Sequence, residues 1–102
     1  MSSHKPLPLA LSPQAYQDLV DILRFTGETW DQKQLLVYRD KIDKAMHAIS
    51  SNPKIGSRRT DLPETHRAYL VGSHLIVYRH FENNLEIVRI LHQRMSLPHH
   101  ID

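Results

Sequence analysis

Arg67, Arg79, Arg89 and Arg94, together with His92, lie in the apolar, β-branched final third of the chain, where guanidinium groups are unexpected. An arginine inside or at the end of a strand is costly unless it is exposed or paired, so these residues ask for an explanation. One reading is a basic sheet face that grips phosphate, carboxylate or an acidic partner helix, because the planar multi-donor fork suits such groups. The other is that each arginine sits at a strand end, satisfied by solvent or by Glu82 or Glu86. Lys54, Arg58 and Arg59 in the preceding loop add to the cations, and only Asp61, Glu64, Glu82 and Glu86 oppose them over residues 54–94. That excess describes a basic face, short of the extreme expected of a dedicated nucleic-acid binder. His92, near Arg94, has an imidazole that titrates near neutrality and suits general acid/base work, or else it is simply a hydrogen-bonded strand end.

Other chemistry finds little support. There are 8 histidines, but the His99-His100 pair would diverge on a helix and has no carboxylate at a ligand-like offset, so no metal site is expected. A Gly-rich phosphate loop, a nucleophile elbow and a partnered pair of helix-borne carboxylates are all missing, so no cofactor is expected. With 0 cysteines, disulfides, thiolate catalysis and the usual structural zinc sites drop out together. No apolar run reaches the roughly 20 residues needed to cross a bilayer, and "MSSHKPLPLALSP" is too short in its apolar part for a signal peptide, which points to the cytoplasm and away from membranes. A length of 102 residues with 40% hydrophobic and 24% charged residues suits one globular domain, 1–102.

The elements that must position these residues follow from periodicity. "PLPLALS" at 6–12 alternates apolar residues with proline and suits an edge strand. Ser12-Pro13 is a helix start, with Ser12 as cap and Pro13 in the first turn. Ala15, Tyr16, Leu19, Val20, Ile22 and Leu23 then share a face, while Gln17, Asp18, Asp21, Arg24 and Glu28 point away. Gly27 marks the stop, and Thr29 with Gln32 fits a capping box that opens a second helix near 30. Leu35, Tyr38, Ile42, Ala45, Met46 and Ile49 form its apolar stripe, and Asn52-Pro53 ends it. The two helices therefore make an antiparallel hairpin that needs a second layer.

After the long loop "PKIGSRRTDLPET", the runs "HRAYLVG", "HLIVYRHF" and "LEIVRILHQR" form an antiparallel meander with turns at Gly72-Ser73 and Glu82-Asn83-Asn84. The expected class is α+β: an N-terminal strand and an antiparallel helical hairpin packed as two layers on an antiparallel sheet. In the last strand, strict alternation puts Val88, Ile90, His92 and Arg94 on one face and Ile87, Arg89 and Leu91 on the other. Both faces carry apolar residues, so the face away from the helices needs cover from the C-terminal segment or from a partner. The four tyrosines are assigned to core or rim packing.

This order of elements, with Asn52-Pro53, Ile55-Gly56, Val71-Gly72, Val77-Tyr78-Arg79 and above all "EIVRILH" running into Arg94-Met95, resembles the ParE branch of the RelE/ParE toxin superfamily over nearly the whole chain. The resemblance implies the toxin of a type II toxin-antitoxin module, neutralised in a hetero-oligomer by a ParD-like antitoxin whose C-terminal region wraps over the toxin and covers the open sheet face. Within the superfamily, "RILHQRM" resembles the branch that inhibits DNA gyrase by direct contact. Arg58, Arg59, Arg67, Arg79, Arg89, His92 and Arg94 would then be partner-binding residues, with no sequence-specific nucleic-acid binding by the toxin alone. The alternative implied by the other branch is a ribosome-dependent mRNA endoribonuclease, with Arg67, Arg79 and Arg89 on phosphate and His92 as acid or base. A third is a non-toxic member of the fold that serves only to bind antitoxin or regulate.

Overall fold

The computed structural model describes residues 6–101. Strand β1 is Leu9–Leu11, helix α1 Pro13–Thr29, helix α2 Gln32–Ser51, and strands β2, β3 and β4 are His66–Val71, His74–His80 and Leu85–His92. A 3₁₀ turn, Leu97–His99, closes the tail. The sheet runs β1-β4-β3-β2, so the N-terminal strand does lie at an edge, although it is shorter than the 6–12 expected and Pro6 and Pro8 precede it. It is parallel to β4, with Leu9, Ala10 and Leu11 opposite Leu85, Glu86 and Ile87, which makes the sheet mixed where an antiparallel one was expected. The reason is the route of the chain: β1 reaches β4 only after the hairpin and two further strands.

Ser12 caps α1 as anticipated. Its Oγ accepts the Ala15 N–H at 3.0 Å, and its hydroxyl donates to the Val88 carbonyl at 2.7 Å, so one side chain starts the helix and fastens it to β4. Gly27 does not end α1. A Cβ there would lie 2.7 Å from Leu35 Cδ1, so the glycine lets the two helices approach closely and the helix continues to Thr29. Asp31, not Thr29, caps α2, its Oδ1 accepting the Gln34 N–H at 2.8 Å. Asn52 closes α2, as the Asn-Pro pair demands.

The meander is held by the Gly72-Ser73 turn, where Gly72 has φ +58°, a conformation that a side chain disfavours. In β4 the register slips: Val77 faces Arg89 and Tyr78 faces Ile87, leaving Val88 as an extra residue in a β-bulge. Alternation therefore breaks. Ile87 and Ile90 both face the helices, packed with Ala15, Ala45, Ile49, Ile76, Tyr78 and Leu85. Val88 and Leu91 both face the other way, with Leu62, Ala68, Leu75, Val77, Leu97 and Ile101.

The second face is thus covered by the chain itself. Leu62 comes from the loop, and Leu97 and Ile101 come from the tail, all three buried. The loop makes one strand-like bridge: Ser57 exchanges two backbone hydrogen bonds with Ala68, at 2.8 and 3.0 Å, along the outer edge of β2. Tyr78, fully buried, pins it further by accepting the Gly56 N–H at 2.9 Å and donating to the Pro53 carbonyl at 2.7 Å. Burial pushes the Tyr78 hydroxyl up from its ordinary pKa against the effects of Gly56 and Arg67, so it stays a donor.

Candidate partner-binding surface

The side chains singled out in the sequence do not share one site. Arg89 is the clearest case. Its Nε and Nη2 bind the two carboxylate oxygens of Asp18 at 2.8 and 2.9 Å, and its Nη1 donates to the His100 carbonyl at 3.2 Å. The same carboxylate accepts the Ile90 N–H at 2.9 Å, just beyond the point where β1 stops covering the β4 edge. The Arg89 and Asp18 side chains are only 19% and 14% exposed. The bond to Asp18 raises the Arg89 pKa over the opposing cost of burial, so the guanidinium stays charged. Arg89 is therefore a clasp joining α1, β4 and the tail. The expectation that only Glu82 and Glu86 lay within reach of the strand arginines missed Asp18, whose side chain turns in toward β4.

Arg79 is held by Glu86, with Nε 2.9 Å from Oε1, and lies 4.7 Å over the Phe81 ring. Arg67 donates to the Gly56 carbonyl at 2.8 Å and belongs to the loop anchor. Arg59 makes a two-pronged bond to Asp61, at 2.9 and 3.0 Å, which raises the arginine's pKa and lowers the aspartate's. His92 lies against His74, its ring centroid 5.4 Å away, and its Nδ1 accepts the Arg94 N–H. The side chains of Arg58 and Arg94 make no ion pair among the described residues, and His99 and His100 are exposed on the tail. Among the described residues no three His, Asp or Glu side chains converge on a point that could hold a metal ion.

Partly covered apolar side chains line two neighbouring hollows on the helical layer. A hollow of about 230 Å³ lies between β1 and the C-terminal half of α2, lined by Leu7, Leu9, Leu11, Met46 and Ser50. A second, of about 390 Å³, runs between the helices over Leu19, Leu23, Ile42 and Met46. Both are bordered by Asp43 and share Met46, so together they form one groove across the outside of the hairpin. Charges rim it: Arg39, Asp40 and Asp43, with His47 at the β1 end. The groove is held at its β1 end by Ser50, whose Oγ donates to the Leu7 carbonyl while the Leu7 N–H returns to the Ser50 carbonyl at 3.0 Å. The sequence placed Met46, Leu19 and Leu23 on core-facing stripes. Their half-exposure arises because the antiparallel helices meet the sheet with their inner faces and leave the shoulders of both stripes uncovered.

Residues 9–97 match the family described as the ParE toxin of the type II toxin-antitoxin system parDE. The chain belongs to the ParE toxin family. This toxin is 31% identical over 94 residues to Toxin ParE1 of Caulobacter vibrioides, covering 92% of this chain and 97% of that one. It is 32% identical over 92 residues to Toxin ParE1 of Mycobacterium tuberculosis, covering 89% and 94%. Among solved structures, the chromosomal ParDE system of P. aeruginosa superposes with a TM-score of 0.73 at 17% identity, covering 88% of this toxin and 98% of that chain. The RelBE2 toxin-antitoxin complex of M. tuberculosis superposes at 0.59 with 16% identity, covering 90% and 97%; at such identities the likeness is one of fold. No helix of this toxin, among its described residues, is long and apolar enough to cross a membrane.

Proposed function

We propose that this toxin stalls DNA gyrase by direct protein contact, with its DNA cut, and that a cognate ParD-like antitoxin neutralises it by laying an amphipathic segment into the groove between β1 and the hairpin. The observation that carries this reading is the split between engaged and open surface. Arg67, Arg79, Arg89 and His92, the set a nuclease would need around one phosphate, are held by the Gly56 carbonyl, Glu86, Asp18 and the Arg94 amide respectively. A concave apolar surface, partly covered, is lined instead by Leu7, Leu9, Leu11, Leu19, Leu23 and Met46, a shape suited to an apolar helix face or strand. Membership of the ParE family and likeness to a solved ParDE system support an antitoxin partner.

The test uses purified toxin with gyrase and plasmid DNA. Loss of supercoiling with accumulation of cleaved plasmid is expected. Unchanged gyrase activity alongside cutting of translated mRNA on ribosomes would instead establish the endoribonuclease reading, and expression without any effect on growth would leave only the antitoxin-binding role. Met46→Glu separates the surfaces: it should weaken antitoxin binding by about 10- to 100-fold while leaving the effect on gyrase intact.

A further inference from the structure

The groove between β1 and the hairpin is apolar along its floor, but the charges on its rim differ in how they are engaged. Arg39 and Asp43 stand one turn apart on α2 and line the same hollow as Leu19, Leu23, Ile42 and Met46. Asp43 also lines the second hollow, so it sits where the two meet. Asp40, on the same rim, is taken up by Lys44 at 3.1 Å. The Asp43 carboxylate is not held in this way. His47 Nδ1 donates instead to the Asp43 backbone carbonyl at 3.0 Å and stays 3.7 Å from the carboxylate, beyond hydrogen-bond reach. The Arg39 side chain makes no ion pair among the described residues.

These two open charges have opposite signs and lie four residues apart on one helix, yet they do not pair with each other. Their order along the chain is the reason. An acid one turn before a base pairs well, as Asp40 does with Lys44, and a base before an acid is the weaker arrangement. An apolar segment laid into the groove strips water from both groups. A bare apolar stripe would leave a carboxylate and a guanidinium partly buried without partners, which is costly. The occupant therefore has to bring a cation to Asp43 and an anion to Arg39, about 6 Å apart along the α2 axis.

We propose that Arg39 and Asp43 set the direction and register of the antitoxin's amphipathic segment, which presents a Lys or Arg to Asp43, an Asp or Glu to Arg39, and its apolar stripe to Met46. This rests on the reading of the groove as the antitoxin site. An uncharged apolar segment could lie in the groove in either direction or slide along it. With the two charges in place, reversing the segment or slipping it by the spacing of the pair sets like charges against each other, which excludes those alternatives. The excess of cations over residues 54–94 attracts acidic partners in general, whereas this rim demands a base as well, at one position.

Titration calorimetry of the full-length toxin with its full-length cognate antitoxin, at about 50 and 300 mM salt, tests this. Asp43→Asn keeps the shape of a side chain that is 60% exposed, so the fold should not change. It should weaken binding about tenfold at the lower salt and flatten the salt dependence. Arg39→Asp combined with Asp43→Arg keeps the net charge and reverses the order; it should weaken binding about 100-fold. Asp21→Asn, which removes an acid from the exposed side of α1, should leave binding within about twofold. Asp43→Asn that binds within about twofold of wild type while Met46→Glu weakens binding overturns the inference and leaves the groove as the antitoxin site. Equal losses in Asp21→Asn and Asp43→Asn, or an exchanged pair that binds as tightly as wild type, overturn it too. If Met46→Glu also leaves binding unchanged, the groove reading itself fails, and this inference with it.

Discussion

On one face of the sheet, helices of 17 and 20 residues bury Ile76, Tyr78, Leu85 and Ile87. On the other, a loop and a short tail do the same for Leu75, Val77 and Leu91, using Leu62, Leu97 and Ile101. The second cover has little secondary structure, so its hold depends on a few inserted side chains and on the Arg89 bond to the His100 carbonyl. The contrast shows where a partner has room. A sheet face that looks unprotected in the sequence is closed by the chain's own loop and tail, and the helical layer leaves the groove around Met46 partly open.

The comparison can be broken most directly by truncating one residue on each side. Leu97→Ala should cost about 2–5 kcal/mol, close to the cost of Ile49→Ala in the helical core, because both side chains are fully buried in packed clusters. Chemical denaturation checks this, and a Leu97→Ala loss below about 1 kcal/mol would mean that the tail only rests on the sheet.

Next in size is the clasp. Arg89→Ala and Asp18→Ala should each cost about 2–4 kcal/mol, since each leaves a mostly buried charge without its partner. A double-mutant cycle should show strong coupling; additive losses would show that the two side chains do not act as a clasp. The smallest effect belongs to Arg79→Ala. Its pair with Glu86 is roughly two-fifths exposed on the arginine side, so thermal unfolding should register less than about 1 kcal/mol. A larger loss would show that the Phe81 stack, not the ion pair, carries that end of the sheet.

Most elements were legible because their signals are local. Ser12-Pro13, Asn52-Pro53 and Gly72-Ser73 each act within a few residues, and the structure uses all three where expected. The misplacements came from contacts distant in sequence. Gly27 read as a stop because nothing near it in the chain reveals Leu35 pressed against it. The faces of β4 were assigned by strict alternation, and the bulge at Val88, visible only in the pairing with β3, shifts every residue after it. The arginines stand out in the sequence, but their partners do not: Asp18 lies 71 residues from Arg89, at a position that helical periodicity assigns to solvent.

The order of helices and strands, the family and the excess of cations in the second half were determined by the sequence alone, since propensity, capping and periodicity operate over short stretches. Which of those cations are engaged, which sheet face is closed and where an apolar groove stays open were decided only by the tertiary structure. Charge pairing and burial depend on distances between residues far apart along the chain, and those distances exist only once β1, α1, β4 and the tail have come together.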